Sequence, residues 1–481
     1  MLGLLTKQKR DILILTIGKI LQIVIALVSI RVLTEVLSEQ EIGNYYLLLT
    51  ILAFFNFSFL NPLGQYYGRH LIQWRDNKNL SNATNMLLIV RLASIIFSVF
   101  ISYGIYQVFE YDKYYTLSEF MLFIFISLVA GFHGVLLSAI NVLGDRVKFI
   151  TYTILTLFFA LLLSLFIVYF INKSSIGWLY GVAISQLIFS IGLYKDIVKR
   201  NKFSIQKIKS ILNKSYIRKI SIFLLPIAIT LFLQWGQNIS YRFIVEVKYS
   251  LEVLAFIGVG LAVSGAIFSA VESLASQFYN PIYLRKITYA DKVDRANAWN
   301  ELADYMIPIY LLLTVFVIVL LPYLTNLLVA QKFYEAYIYA TFGAVIEFFR
   351  VITNLVYMVS QSERKTKTTI FPYIIGFIST IVTLYFFDMS ENFWMIPLLM
   401  AITNAVIFLL LFKNMKKLLN ININMASIVK TFTLTIPLFC ILFINSDNTI
   451  SQTLLIISAS GIYFIFLAYL VMQKRILVAN K

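Results

Sequence analysis

Apolar residues in this chain run on for about twenty positions at a time, stop at a short polar stretch, and begin again. The runs lie at 12–33, 44–63, 83–106, 119–141, 149–171, 176–194, 221–245, 253–280, 302–322, 335–360, 369–387, 393–412, 426–445 and 451–472. Twenty helical residues rise about 30 Å, the thickness of a bilayer's hydrocarbon core. The pattern predicts an all-α polytopic membrane protein of about fourteen transmembrane helices.

Composition agrees. Of 481 residues, 60% are hydrophobic and 13% charged, whereas a soluble protein carries about 25% charged residues. The net charge of +17 would suggest nucleic acid in a soluble domain. Here the cations fall mainly between the runs, so no nucleic-acid partner is expected. With the N-terminus in the cytoplasm, roughly 31 of the Lys and Arg residues lie on the cytoplasmic side. Only Lys113, Lys173, Lys248 and Lys332 lie outside. Both termini of this multi-pass membrane protein are therefore expected in the cytoplasm. The run after Lys7, Lys9 and Arg10 is too long for a cleaved signal and reads as a retained span. One cysteine, Cys440, and two histidines, His70 and His133, exclude a disulfide framework and a Cys/His metal cluster. No cofactor is expected.

The chain also repeats. Arg31-Val32-Leu33 and Ser38 precede the second run, which ends in Asn61-Pro62 with Arg69 following. Arg242-Phe243-Ile244 and Ser250 precede the eighth, which ends in Asn280-Pro281 with Arg285 following. Six runs fill each interval. The expected organisation is an N-lobe of six helices over 1–195, a basic cytoplasmic linker over 196–219, a C-lobe of six over 220–417, and an extra helix pair with a tail over 418–481. Two parallel repeats with a site between them is a transporter architecture. Within the linker, Ile205, Ile208, Ile211 and Leu212 recur at helical spacing among Lys207, Lys209 and Lys214. This fits either an amphipathic helix on anionic lipid or an ordinary positive-inside loop.

The segments RVLTEVLSEQEIGNYYLL and LLPIAITLFLQWGQNISYRFIV resemble the two lobe openings of the polysaccharide-export flippases called Wzx. These are members of the multidrug/oligosaccharidyl-lipid/polysaccharide (MOP) exporter superfamily. The chain departs from the pattern at Ala255, opposite Gly43, and in the helix pair beyond Lys417. The resemblance implies a flippase that moves an undecaprenyl-diphosphate-linked oligosaccharide, an O-antigen, capsule or exopolysaccharide unit, from the inner to the outer leaflet by alternating access. It implies as partners that lipid-linked oligosaccharide, the membrane lipids, and a polysaccharide polymerase with its chain-length machinery. The alternatives within the superfamily are a MATE-type ion-coupled antiporter of small amphiphiles and a lipid II flippase.

Charges inside the runs bear on that choice, because one at the centre of a span costs about 2.5–3.5 kcal/mol on the insertion scale. Lys19 shares a small, polar stripe with Gly18, Gln22, Ala26 and Ser29, which suits a cavity wall or a snorkelling lysine. Arg31, near the outer end, suits a lobe-mouth or snorkelling position. Arg91 shares a face with Ser94, Ser98 and Ser102, and both readings stay open for it. His133 flanks a stripe of small residues and reads as structural. Gln234, Gln237, Asn238, Tyr241 and Arg242 make one polar face. Glu272 lies deep in the eighth run with no partner evident. Gly343, Glu347, Arg350, Asn354 and Tyr357 share a face of the tenth, where Glu347 and Arg350 are spaced to pair.

Cations outnumber acids in this set. Arg350, Lys19, Arg242 and Arg91, with Gln234 and Asn238, are the expected substrate-cavity residues, and a diphosphate suits arginine's paired donors. Glu347 and Glu272 are the expected gating or coupling groups, for a proton or a sodium ion. No GxxxxGK[ST] motif occurs, which argues against direct ATP use. The external loops are short, which argues against an enzyme.

Overall fold

The computed structural model of the chain describes residues 7–198, 214–363, 365–444 and 449–479. Most of the amphipathic stretch expected in the linker lies outside the described residues. Fourteen helices are long and apolar enough to cross a membrane, and no strand occurs among the described residues. We number them α1 (Lys7–Val36), α2 (Glu39–Asp76), α3 (Leu80–Val108), α4 (Leu117–Val142), α5 (Arg146–Phe170), α6 (Ser175–Val198) and α7 (Ser221–Lys248). There follow α8 (Leu251–Ile287), α9 (Lys292–Leu328), α10 (Gln331–Ser362), α11 (Ile370–Phe386), α12 (Met395–Lys416), α13 (Met425–Phe443) and α14 (Ile450–Ala479).

Several helices outlast the apolar run that predicts them. The second run stops at 63, whereas α2 continues to Asp76. Hydropathy marks where the lipid-soluble stretch ends, but intrahelical hydrogen bonds continue through polar residues. Pro62 does not stop α2, because a π-helical turn over Asn56–Leu60 precedes it and places the proline in the first turn of the next α-helical stretch. Proline is tolerated there, since that N–H has no intrahelical partner.

The chain packs as two compact units, residues 1–26 with 44–235, and residues 27–43 with 236–481. In the first, α5 and α6 approach closely at Gly181, where a Cβ would overlap the backbone of Ser164. Ser164 in turn donates to the Trp178 carbonyl at 2.7 Å. Tyr67, Leu71, Leu87, Phe132, Leu136 and Leu193 form one of its apolar cores. An aromatic group of Phe54, Phe59, Phe97, Phe232 and Trp235 surrounds the π-helical turn.

In the second unit, the last turns of α1 dock on the end of α9. Arg31 donates to the carbonyls of Asn326, at 3.3 Å, and Val329, and lies 3.4 Å from Glu35. Thr34 accepts the Ala330 N–H at 2.9 Å. Lys248 likewise donates to the Tyr385 and Phe387 carbonyls at the end of α11, at 3.2 and 2.6 Å. These cations sit where helix dipoles point their negative ends. At Gly43, at the start of α2, a Cβ would overlap the Leu251 backbone carbonyl, so only glycine fits. The C-terminal pair, α13 and α14, packs on α9: Tyr323 donates to the Ile441 and Ile444 carbonyls, and Phe316 meets Phe464 at 4.7 Å between centroids.

Candidate functional site

Small residues set up the site in the second unit. At Gly260 a Cβ would overlap the Ala336 carbonyl and Ala340 nitrogen, and at Gly343 one would press on Leu261 and Ser264. Ser264 donates to the Ala340 carbonyl at 2.6 Å. These residues bring α8 and α10 together, as small side chains do between membrane helices. Further along the same faces the two helices present their charges to each other.

There Arg350 is held by two carboxylates. Its Nε donates to Glu347 Oε2 at 2.7 Å, one turn back on α10, and its Nη2 donates to Glu272 Oε2 on α8 at 2.8 Å. Asn354 Nδ2 donates to the other Glu272 oxygen at 3.1 Å. The Glu347 carboxylate lies over Gly265, where a Cβ would sit 3.7 Å from Oε1. Buried Tyr310 on α9 is within electrostatic range of Glu272 and Arg350. The partner that sequence could not supply for Glu272 is thus Arg350, with Asn354.

Two carboxylates against one guanidinium give this group a formal charge of −1. Its side chains are 17–32% exposed, shielded from water without being sealed from it. In that setting charge-assisted hydrogen bonds are strong, and replacing one partner leaves the others under-compensated. The arrangement can exchange the guanidinium's acceptor, or accept a cation when the arginine is drawn away.

The remaining expected residues fall elsewhere. Arg242 lies in the second unit beside Tyr241, its Nε donating to the hydroxyl at 3.4 Å. The polar face of α7 divides between the units, Gln234 in the first and Asn238 in the second. Asn238 accepts from Asn404 Nδ2 at 3.4 Å, and Asn404 Oδ1 accepts from buried Gln237 at 3.1 Å. Thr380 on α11 donates to the Gln237 carbonyl at 3.3 Å. Asn404 and Thr380, the partners that complete this polar face, are the part that sequence reasoning missed. Its signal was Asn404, a lone amide in the middle of an apolar run.

Lys19 and Arg91 belong to the first unit. Lys19 is buried, donates to Gln22 at 3.0 Å, and lies 5.6 Å from the Phe149 ring centroid. Arg91 is 2% exposed, so in this conformation it neither snorkels nor lines an open surface. His133, bonded to Thr156 at 3.0 Å, is buried as a packing residue. Arg31 is fixed to α9 rather than splayed outward. Among the described residues no group of three or more His, Cys, Asp or Glu is placed to hold a metal.

No family model and no curated protein matches the chain. Solved structures do. It is similar to a structure described as the lipid II flippase MurJ in an inward closed conformation, at 13% identity and TM-score 0.69, covering 97% of this chain and 99% of that one. It is also similar to a multidrug-resistance MATE transporter of the MOP superfamily in an inward-facing conformation (12% identity, TM-score 0.59, 88% and 99% covered). A third is a MOP superfamily transporter from Pyrococcus furiosus, described as having a binding pocket of reversed polarity (13% identity, TM-score 0.56, 85% and 95% covered). The fold of this chain is that of the MOP superfamily transporters.

Proposed function

We propose that this protein is a flippase for a polyprenyl-diphosphate-linked oligosaccharide in the bacterial inner membrane, with both termini cytoplasmic. The observation that carries the reading is the extent of the likeness to the lipid II flippase, 97% of this chain against 88% and 85% for the two other transporters. The extra coverage is comparable in size to the C-terminal helix pair. The Wzx-like lobe openings supply the glycan class, with lipid II as the alternative cargo. The expected partners remain the membrane lipids and the polymerase with its chain-length machinery.

The Arg350 group supplies a mechanism. A diphosphate offers the guanidinium the same paired oxygens that Glu347 and Glu272 provide, so the substrate competes for Arg350. When it wins, two carboxylates are left close together and uncompensated, which favours uptake of a proton or sodium ion. Substrate binding and ion binding are then linked through one arginine. Lys19 and Arg242 assist attraction of the diphosphate in this reading.

A second reading, the ion-coupled antiporter of small amphiphiles, is favoured by the local charge of −1, opposite to the cation excess expected from sequence. Depletion of the protein followed by lipid mass spectrometry separates the two. Accumulation of polyprenyl-diphosphate oligosaccharide supports the flippase, whereas drug sensitivity with a normal lipid profile supports the antiporter.

A further inference from the structure

We infer that the first unit holds a resident small monovalent anion of the chloride class, bound by Arg91. Arg91 lies twelve positions into α3 (Leu80–Val108) and is 2% exposed. A guanidinium does not lose its proton in a protein, so the charge is buried with the side chain. Yet Nε and Nη2 of Arg91 are buried and meet no hydrogen-bond acceptor among the described residues.

Those two nitrogens form one edge of the guanidinium, and the chain contains its own comparison. Arg295 uses that edge to grip both oxygens of Glu363, at 2.8 and 3.3 Å. Arg350 uses it for Glu347 and Glu272, at 2.7 and 2.8 Å. Arg91 is more buried than either side chain, and among the described residues no carboxylate pairs with it. Every Asp and Glu of the first unit's described residues lies near a helix end or in a connection.

The neighbours do not replace a carboxylate. Ser94, Ser98 and Ser102 donate their hydroxyl protons to backbone carbonyls of α3. His133 is engaged with Thr156. The Phe132 ring centroid is 5.7 Å from the guanidinium carbon, a weak contact compared with an ion pair. On the helix facing Arg91, the Ser127 hydroxyl is a further buried polar group without a partner among the described residues. At Gly131, in the break within α4, a Cβ would sit 3.4 Å from Arg91 Nη2, so glycine leaves the space beside that edge unfilled by side chain. A site this enclosed suits a one-atom anion. A lipid phosphate, with acyl chains to accommodate, does not fit.

The test is the melting temperature of the purified full chain in detergent, followed by tryptophan fluorescence at fixed ionic strength. Sodium gluconate is replaced stepwise by sodium chloride or sodium bromide. Wild-type protein should gain several degrees with a saturating dependence on either halide, and Arg91→Gln should melt at a temperature independent of halide. Gly131→Ala, which keeps the arginine, should move the midpoint several-fold higher in chloride. A wild-type melting temperature that ignores halide would overturn the inference, as would Arg91→Gln responding like wild type. Should Arg91→Gln fail to accumulate, an unchanged midpoint in Gly131→Ala overturns it as well.

Discussion

If Arg350 balances Glu347 and Glu272, removing the arginine should cost more than removing the arginine and a glutamate together. In Arg350→Ala, two carboxylates lose bonds of 2.7 and 2.8 Å and repel each other. Hydrogen bonds to charged groups contribute about 1.5–3 kcal/mol each, and breaking a fully buried pair costs about 3–5 kcal/mol. With the three side chains 17–32% exposed, water recovers part of that. We therefore expect Arg350→Ala to destabilise by about 2–4 kcal/mol. Glu272→Gln keeps an oxygen for Asn354 and leaves Arg350 paired with Glu347, so it should cost about 1–2 kcal/mol. In the double variant the repulsion is gone, and the two effects should fall short of additivity by more than Glu272→Gln costs alone, about 2–3 kcal/mol. The assay is a double-mutant cycle on unfolding in detergent, with Glu347→Gln as a second arm. Additivity within about 0.5 kcal/mol would refute the shared-arginine account.

Three further outcomes follow from the packing. Gly43→Ala should destabilise by about 1–3 kcal/mol, because its Cβ meets the Leu251 carbonyl and backbone must move; thermal unfolding checks this. Asn404→Leu should cost about 1–3 kcal/mol by taking from the buried Gln237 amide the acceptor that Asn404 Oδ1 provides, and Asn404→Gln should cost a similar amount because the longer side chain does not fit. Truncation after Lys417 removes the helices that cover Phe316 and Tyr323, so membrane levels of the shortened chain should fall on immunoblots.

The fourteen spans were legible because hydrocarbon thickness fixes how long an apolar run must be. Their ends were less so: α2 and α9 continue as polar helix, a feature to which hydropathy is blind. The Glu347–Arg350 pair could be read from i, i+3 spacing on one helix. Glu272 could not be joined to it, because that contact depends on how closely α8 and α10 approach, and the approach is set by Gly260, Ser264 and Gly343. Arg31 read as a residue of the membrane edge. Besides Glu35 one turn on, its partners are the backbone carbonyls of Asn326 and Val329, which carry no side-chain signature. Arg91 was grouped with a cationic cavity because periodicity reveals which side chains share a face, not whether that face opens to water.

The most direct test of the proposed function is transfer of a fluorescent polyprenyl-diphosphate oligosaccharide across liposomes containing the purified protein, read by quenching from outside. The account predicts transfer by wild type and its loss in Arg350→Ala, with the variant still folded and inserted. Absence of transfer by wild type, or equal transfer by Arg350→Ala, would contradict it.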